Sequence, residues 1–149
     1  MAELSIEDRL AIQDLYARYS VTVDSGDDEG WVQTFTSDGA FIAANPMYGH
    51  ESLRAFRAER RAAAGSLDYY DAQHWNNNLL LTAYSDHVEG ICYLMRVGKR
   101  RSDDAIVFLS QGFYHDTIVR TDDGWRFARR EVIHSAGKLP PELVSGRTA

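Results

Sequence analysis

The chain holds a single cysteine, Cys92, among 149 residues. That excludes an intrachain disulfide framework and any metal site built on paired cysteines. Set in an apolar run, Cys92 reads as a small buried hydrophobe. Basic charge is also in deficit: the net charge is −6, which offers little to nucleic acid or to an anionic membrane. The two basic clusters, "RAERR" (57–61) and "GKRR" (98–101), read as the solvated face of a helix and the tip of a hairpin. No apolar run approaches the ~18 residues of a membrane span. The opening "MAELSIEDRL" lacks the charged start and apolar centre of a signal peptide. The expectation is a soluble, cytoplasmic protein. The five histidines are scattered, with no His-x-His or HExxH pair, so no metal is expected. There is no phosphate-cradling glycine loop, no nucleophile elbow, no internal repeat and no low-complexity segment. Any chemistry is then expected to be cofactor-free proton transfer.

What is present is a periodic pattern that changes character halfway. Ser5 followed by Asp8 resembles a capping box with Asp in place of Glu. Ile12, Leu15, Tyr16, Tyr19 and Val23 then fall on one face at helical spacing, predicting a first helix over 5–23. Gly26 can end it with a positive φ, and Asp27 can cap the next helix. "EGWVQTF" (29–35) reads as that short helix, "GAFIAA" (39–44) as a strand and "NPMYG" (45–49) as a turn. "ESLRAFRAERRAAAG" (51–65) reads as a third helix with Leu53 and Phe56 inward. Four strand-like runs follow, 72–84, 87–97, 105–120 and 124–135. The breaks between them are short, which favours an antiparallel meander. Helices first and long strands after give an α+β fold, a curved antiparallel sheet packed on three N-terminal helices and enclosing one pocket. One domain is expected over 1–137, and an irregular C-terminal tail with a Pro-Pro pair over 138–149.

Three segments carry a resemblance: "AIQDLYARYSVTVDSGD" (11–27), "DAQHWNNNLLL" (71–81) and "DGWRFARR" (123–130). They resemble the first helix, third strand and last strand of the SnoaL-like family in the nuclear-transport-factor-2-like superfamily. Its members include hexachlorocyclohexane dehydrochlorinase, scytalone dehydratase and bile-acid dehydratase. The resemblance covers nearly the whole chain except the tail, and implies a cone-shaped fold with one deep pocket. It also implies a catalytic Asp–His dyad, which by motif position falls on Asp24 and His74. A tyrosine five residues before the aspartate in bile-acid dehydratase falls on Tyr19. A last-strand arginine of the dehydrochlorinase falls on Arg130. The second active-site histidine of scytalone dehydratase has no counterpart in "GICYLMRV" (90–97), and the amides "NNN" (76–78) lie outside the family pattern.

The residues themselves leave alternatives open. On a regular strand Ala72, His74, Asn76 and Asn78 share one face, and Trp75, Asn77, Leu79 and Leu81 the other. A lone histidine is more often a core or edge residue than a base. A general base must be neutral and held in orientation, which a carboxylate on the far ring nitrogen achieves. Helix geometry places Asp24 at the edge of the core stripe, and the glycine stop at Gly26 leaves its direction open. Tyr19 is either core packing or a phenol facing the pocket. Arg130 is either a surface arginine or a buried cation holding an oxyanion or leaving group. Ser110, Gly112 and Tyr114 share a face, a plausible pocket lining.

Together these lead to a cofactor-independent lyase acting by His/Asp proton abstraction, with His74, Asp24, Tyr19 and Arg130 as catalytic candidates. Tyr69, Trp75, Asn76, Phe113 and Tyr114 are the substrate-binding candidates, and such aromatics suit a hydrophobic cyclic or aromatic molecule. An isomerase or polyketide cyclase would begin with the same proton abstraction. A non-catalytic ligand carrier or small subunit would leave His74 structural. A homo-oligomer, trimer or dimer, is expected to bury the open face of the sheet.

Overall fold

A computed structural model describes residues 3–134. Helix α1 (Ile6–Ser25) begins where Ser5 Oγ accepts from the Asp8 N–H at 3.1 Å. It ends at Gly26, whose φ of 78° is the left-handed conformation that glycine adopts without penalty. Ile12, Leu15, Tyr16, Tyr19 and Thr22 are its buried stripe, so Thr22 takes the place expected of Val23, which is half-buried. Asp27 caps α2 (Asp28–Val32) by accepting from the Gly30 N–H. Strand β1 (Phe35–Ile42) and the short β2 (Pro46–Tyr48) lead into α3 (Gly49–Ala63), which a single 3-10 turn, Ala64–Ser66, extends. The expected turn at 45–49 therefore contains a strand.

Strands β3 (Tyr69–Ala83), β4 (Val88–Arg100), β5 (Ile106–Thr121) and β6 (Gly124–Ile133) form the antiparallel meander. The full sheet runs β2-β1-β6-β5-β4-β3 and is mixed, because β1 lies parallel to β6 with Phe41 opposite Arg130. Helix α3 and three long strands separate β1 from β6, which frees β1 from the antiparallel constraint of a tight turn. The predicted tail, 138–149, lies outside the described residues.

The core sits between α1 and the concave sheet face. It centres on Tyr19, whose ring lies 5.7–6.0 Å from those of Trp31, Phe35, Tyr114 and Phe127. Such edge-on contacts add about 0.5–1.5 kcal/mol each beyond area burial. The "RAERR" stretch of α3 is less solvated than expected. Arg57 donates to the Val23 carbonyl and to Asp28, and Arg61 donates to the Gly26 carbonyl. These arginines satisfy carbonyls at the C-terminal end of α1, which has no basic residue of its own in its last turn.

Candidate active site

Strand β3 is not a regular strand. Asp71 and Asn78 both have positive φ, 48° and 55°, and its register with β4 shifts at both places. Each is a bulge that carries one unpaired residue, and Asp and Asn tolerate the left-handed region better than most residues. A bulge reverses side-chain parity. The strand therefore turns Ala72, His74 and Asn76 inward, and beyond Asn78 it turns Leu79, Leu81 and Ala83 against the core. Without the Asn78 bulge, either the amides or the leucines would face outward. On the other side, the Asp71 bulge brings Tyr69 onto the face of His74.

His74 and Asp24 meet. The His74 backbone N–H donates to Asp24 Oδ2 at 2.8 Å, and His74 Nδ1 lies 2.5 Å from Asp24 Oδ1. The two carboxylate oxygens thus grip both the backbone and the ring. Their side chains are only 16% and 19% exposed. A carboxylate on Nδ1 requires the proton there, which leaves Nε2 with a free lone pair. Burial pulls the His74 pKa down, with Asp24 opposing it, and Arg96 and Arg57 push the same way as burial. The imidazole is held neutral near pH 7, the state a base needs.

His74 lines a cavity of about 400 Å³ between α1 and the sheet, with Tyr16, Ser20, Asn76 and Cys92. Asn76 donates to Ser20 Oγ at 2.6 Å and leaves its Oδ1 buried without a partner. Among the described residues no group of three or more His, Cys, Asp or Glu side chains could hold a metal ion.

The other candidates fall elsewhere. Arg130 points inward and is fully buried, but Asp116 occupies it with hydrogen bonds of 2.8 and 2.7 Å from Nε and Nη2. Burial alone would lower its pKa, yet Asp116 holds the guanidinium firmly protonated. Tyr16 donates to the same carboxylate. The rings of Tyr114, Phe127 and Tyr19 stack on the cation at 3.9–4.1 Å. Tyr19 and Tyr114 are 3% and 1% exposed and belong to this core cluster rather than to the cavity wall. Burial raises both phenols above their ordinary pKa.

Trp75 lies on the opposite face of β3 from His74, half exposed, with its indole N–H on Gln73. Phe113 pairs with Tyr93 on that outer face and lines a separate open groove of about 560 Å³. Neither can touch a molecule beside His74. Tyr69 remains on the inner face, its hydroxyl 3.5 Å from an Arg96 nitrogen. Ser110, expected on a pocket-lining face with Tyr114, does lie on the inner face beside Arg96. Tyr16, Ser20, Arg96 and Asp116 were not among the expected site residues. Only Tyr16 carried a usable signal, its place in the helical stripe. The others acquire meaning from strands and helices far away in sequence.

A SnoaL-like domain model matches residues 4–131. The chain belongs to the SnoaL-like domain family. Among solved structures it is similar to an NTF2-like protein with a cystatin-like fold from Novosphingobium aromaticivorans, at 26% identity over 89% of this chain and 85% of that one, with a TM-score of 0.75. A candidate aromatic ring hydroxylase from the same organism is 28% identical over 93% and 94%, TM-score 0.75. A candidate scytalone dehydratase, also from N. aromaticivorans, is 17% identical over 94% and 100%, TM-score 0.74, a likeness of fold alone. No curated protein matches the chain significantly.

Proposed function

We propose that this SnoaL-like protein is a cofactor-independent lyase of the dehydratase or dehydrohalogenase type, acting on a hydrophobic cyclic or aromatic small molecule. The observation that carries the reading is the two-point grip of Asp24 on His74 beside a cavity. His74 Nε2 removes a proton from carbon, and Asp24 fixes the tautomer and stabilises the imidazolium. The group β to that carbon departs with its electron pair and the double bond forms. Arg130 does not assist departure directly, since Asp116 engages it; its charge reaches the site only through the core.

The first test is solvent deuterium exchange into cyclic substrates with an acidic C–H, followed by NMR. Exchange together with loss of water or halide supports the lyase. Exchange with a migrated double bond or a closed ring indicates an isomerase or cyclase working through the same dyad. Absence of exchange, with His74→Gln indistinguishable from wild type, overturns enzymatic proton abstraction and favours a binding protein. Removing a positioned base costs on the order of 10²–10⁴-fold in rate.

A further inference from the structure

Directly beside His74 on the inner face lies an arginine that no carboxylate neutralises among the described residues. His74 on β3 is opposite Arg96 on β4, and Arg96 is opposite Ser110 on β5. Directly opposed residues of antiparallel strands share a face, with Cβ atoms about 4.5–5.5 Å apart. The three side chains therefore form one row across the sheet, and Tyr69 joins it through the Asp71 bulge. Arg96 makes no ion pair among the described residues. Its Nε is buried without a hydrogen-bond partner, and so is Ser110 Oγ. Its one polar contact is the long approach to the Tyr69 hydroxyl. The nearby carboxylates are spent, Asp24 on His74 and Asp71 on Lys99. Compare Arg130, where the same sheet buries a guanidinium and supplies Asp116 to match it.

A buried guanidinium N–H and a buried hydroxyl left unpaired side by side are costly, and such groups call for a partner, whether a ligand, an ordered water or an ion. A planar guanidinium fork beside a hydroxyl fits a carboxylate, which accepts two parallel N–H bonds and a third from the serine. A Cβ on Gly98 would meet Leu109 at 3.0 Å and the Tyr69 ring at 3.5 Å.

We infer that Arg96, with Ser110 and Tyr69, forms a carboxylate-binding subsite, so that the ligand is an organic acid whose ring extends past His74. The inference rests on the cavity being a ligand site and adds the charge of its occupant; of this row only His74 lines that cavity, so the occupant has to reach past His74 to Arg96. It would place the acidic C–H near the carboxylate-bearing carbon, within reach of His74 Nε2, with the cation stabilising the negative charge that proton removal creates.

The test compares benzoate with benzamide, two probes of one shape that differ in charge. Binding to the wild-type protein is followed by calorimetry and by the NMR signals of the His74 ring. The expected result is benzoate binding that shifts His74, with benzamide weaker by about tenfold or more. Arg96→Gln and the milder Ser110→Ala should each weaken benzoate and leave benzamide unchanged. Arg96→Lys should retain part of the preference for the acid. Equal binding of the two probes, or no perturbation of His74 by millimolar benzoate, overturns the subsite even if no variant is obtained folded. His74→Gln separates the two ideas. If the variant keeps the benzoate preference while the wild-type protein exchanges deuterium into no substrate, the subsite stands and the lyase reading falls.

Discussion

At the scale of single residues, the function turns on how one histidine is surrounded. Burial lowers the His74 pKa more than Asp24 restores it. The unfolded value is about 6.5, so in the folded state protons leave His74 at lower pH. Above about pH 6.5 His74 is neutral in both states and costs nothing. As pH falls through that value the unfolded chain takes up the proton first, and stability declines. An NMR titration should therefore give a His74 midpoint below that of a free histidine. Asp24→Asn should lower it further, since Asp24 is the group that favours the imidazolium. A midpoint that rises in the variant would mean the carboxylate does not act on the ring. A second residue-scale test concerns Gly90. A Cβ there would clash with the Tyr16 hydroxyl, so Gly90→Ala should push that phenol off Asp116. The expected loss is about 1–3 kcal/mol, read from urea unfolding; unchanged stability would show that the helix can yield.

At the scale of elements, β3 and the β5–β6 pair do the positioning. The Asn78 bulge lets one strand present polar groups to the cavity at His74 and Asn76, and leucines to the core three residues later. Asn78→Gly preserves the positive φ and should keep both stability and ligand binding. Asn78→Val forces a β-branched residue into the left-handed region, at about 1–3 kcal/mol, or else removes the bulge. Removing it turns either His74 or Leu79 to the wrong face. A Val variant as stable and as active as wild type would show that the bulge carries no such role. Between β5 and β6, Asp116 and Arg130 face each other with no exposed surface on either side chain. Asp116→Leu strands a buried cation and should cost about 3–5 kcal/mol, seen as a lower midpoint in chemical unfolding. The double variant Asp116→Leu with Arg130→Met should recover much of that loss, because a buried ion pair is often replaceable by apolar residues of similar volume.

At the scale of the whole molecule, the two faces of the sheet differ in purpose. The inner face holds the core and the cavity. The outer face displays Trp75, Tyr93 and Phe108, which are 53%, 47% and 80% exposed. Exposed apolar side chains grouped on one sheet face favour association. We propose a homo-oligomer through this face, and light scattering on the purified protein should give a mass above the 16.8 kDa of one chain. A monomer that stays soluble at high concentration would count against it. Among the described residues no helix is long and apolar enough to cross a membrane.

Much of this was legible in the sequence because the signals were local. The Ser5 cap, the Gly26 stop and the Asp27 cap each act over three or four residues, and helical periodicity marked Tyr16 and Tyr19 as buried. The four long strands and their order followed from pattern and short breaks, and the family segments singled out Asp24 and His74. Tertiary structure alone decided what depends on partners distant in the chain. Whether Arg130 was surface or core turned on Asp116, and the parallel alignment of β1 turned on the free edge of β6. Trp75 and Phe113 face away from His74 by plain strand alternation; what the bulges decided is that Tyr69 and Leu79 join the face of His74. Arg96 looked like any strand arginine until β3 and β5 set His74 and Ser110 on either side of it, with no counter-charge among the described residues. Local sequence encodes how the backbone bends; which charges are left unmatched is determined only when separate strands come together.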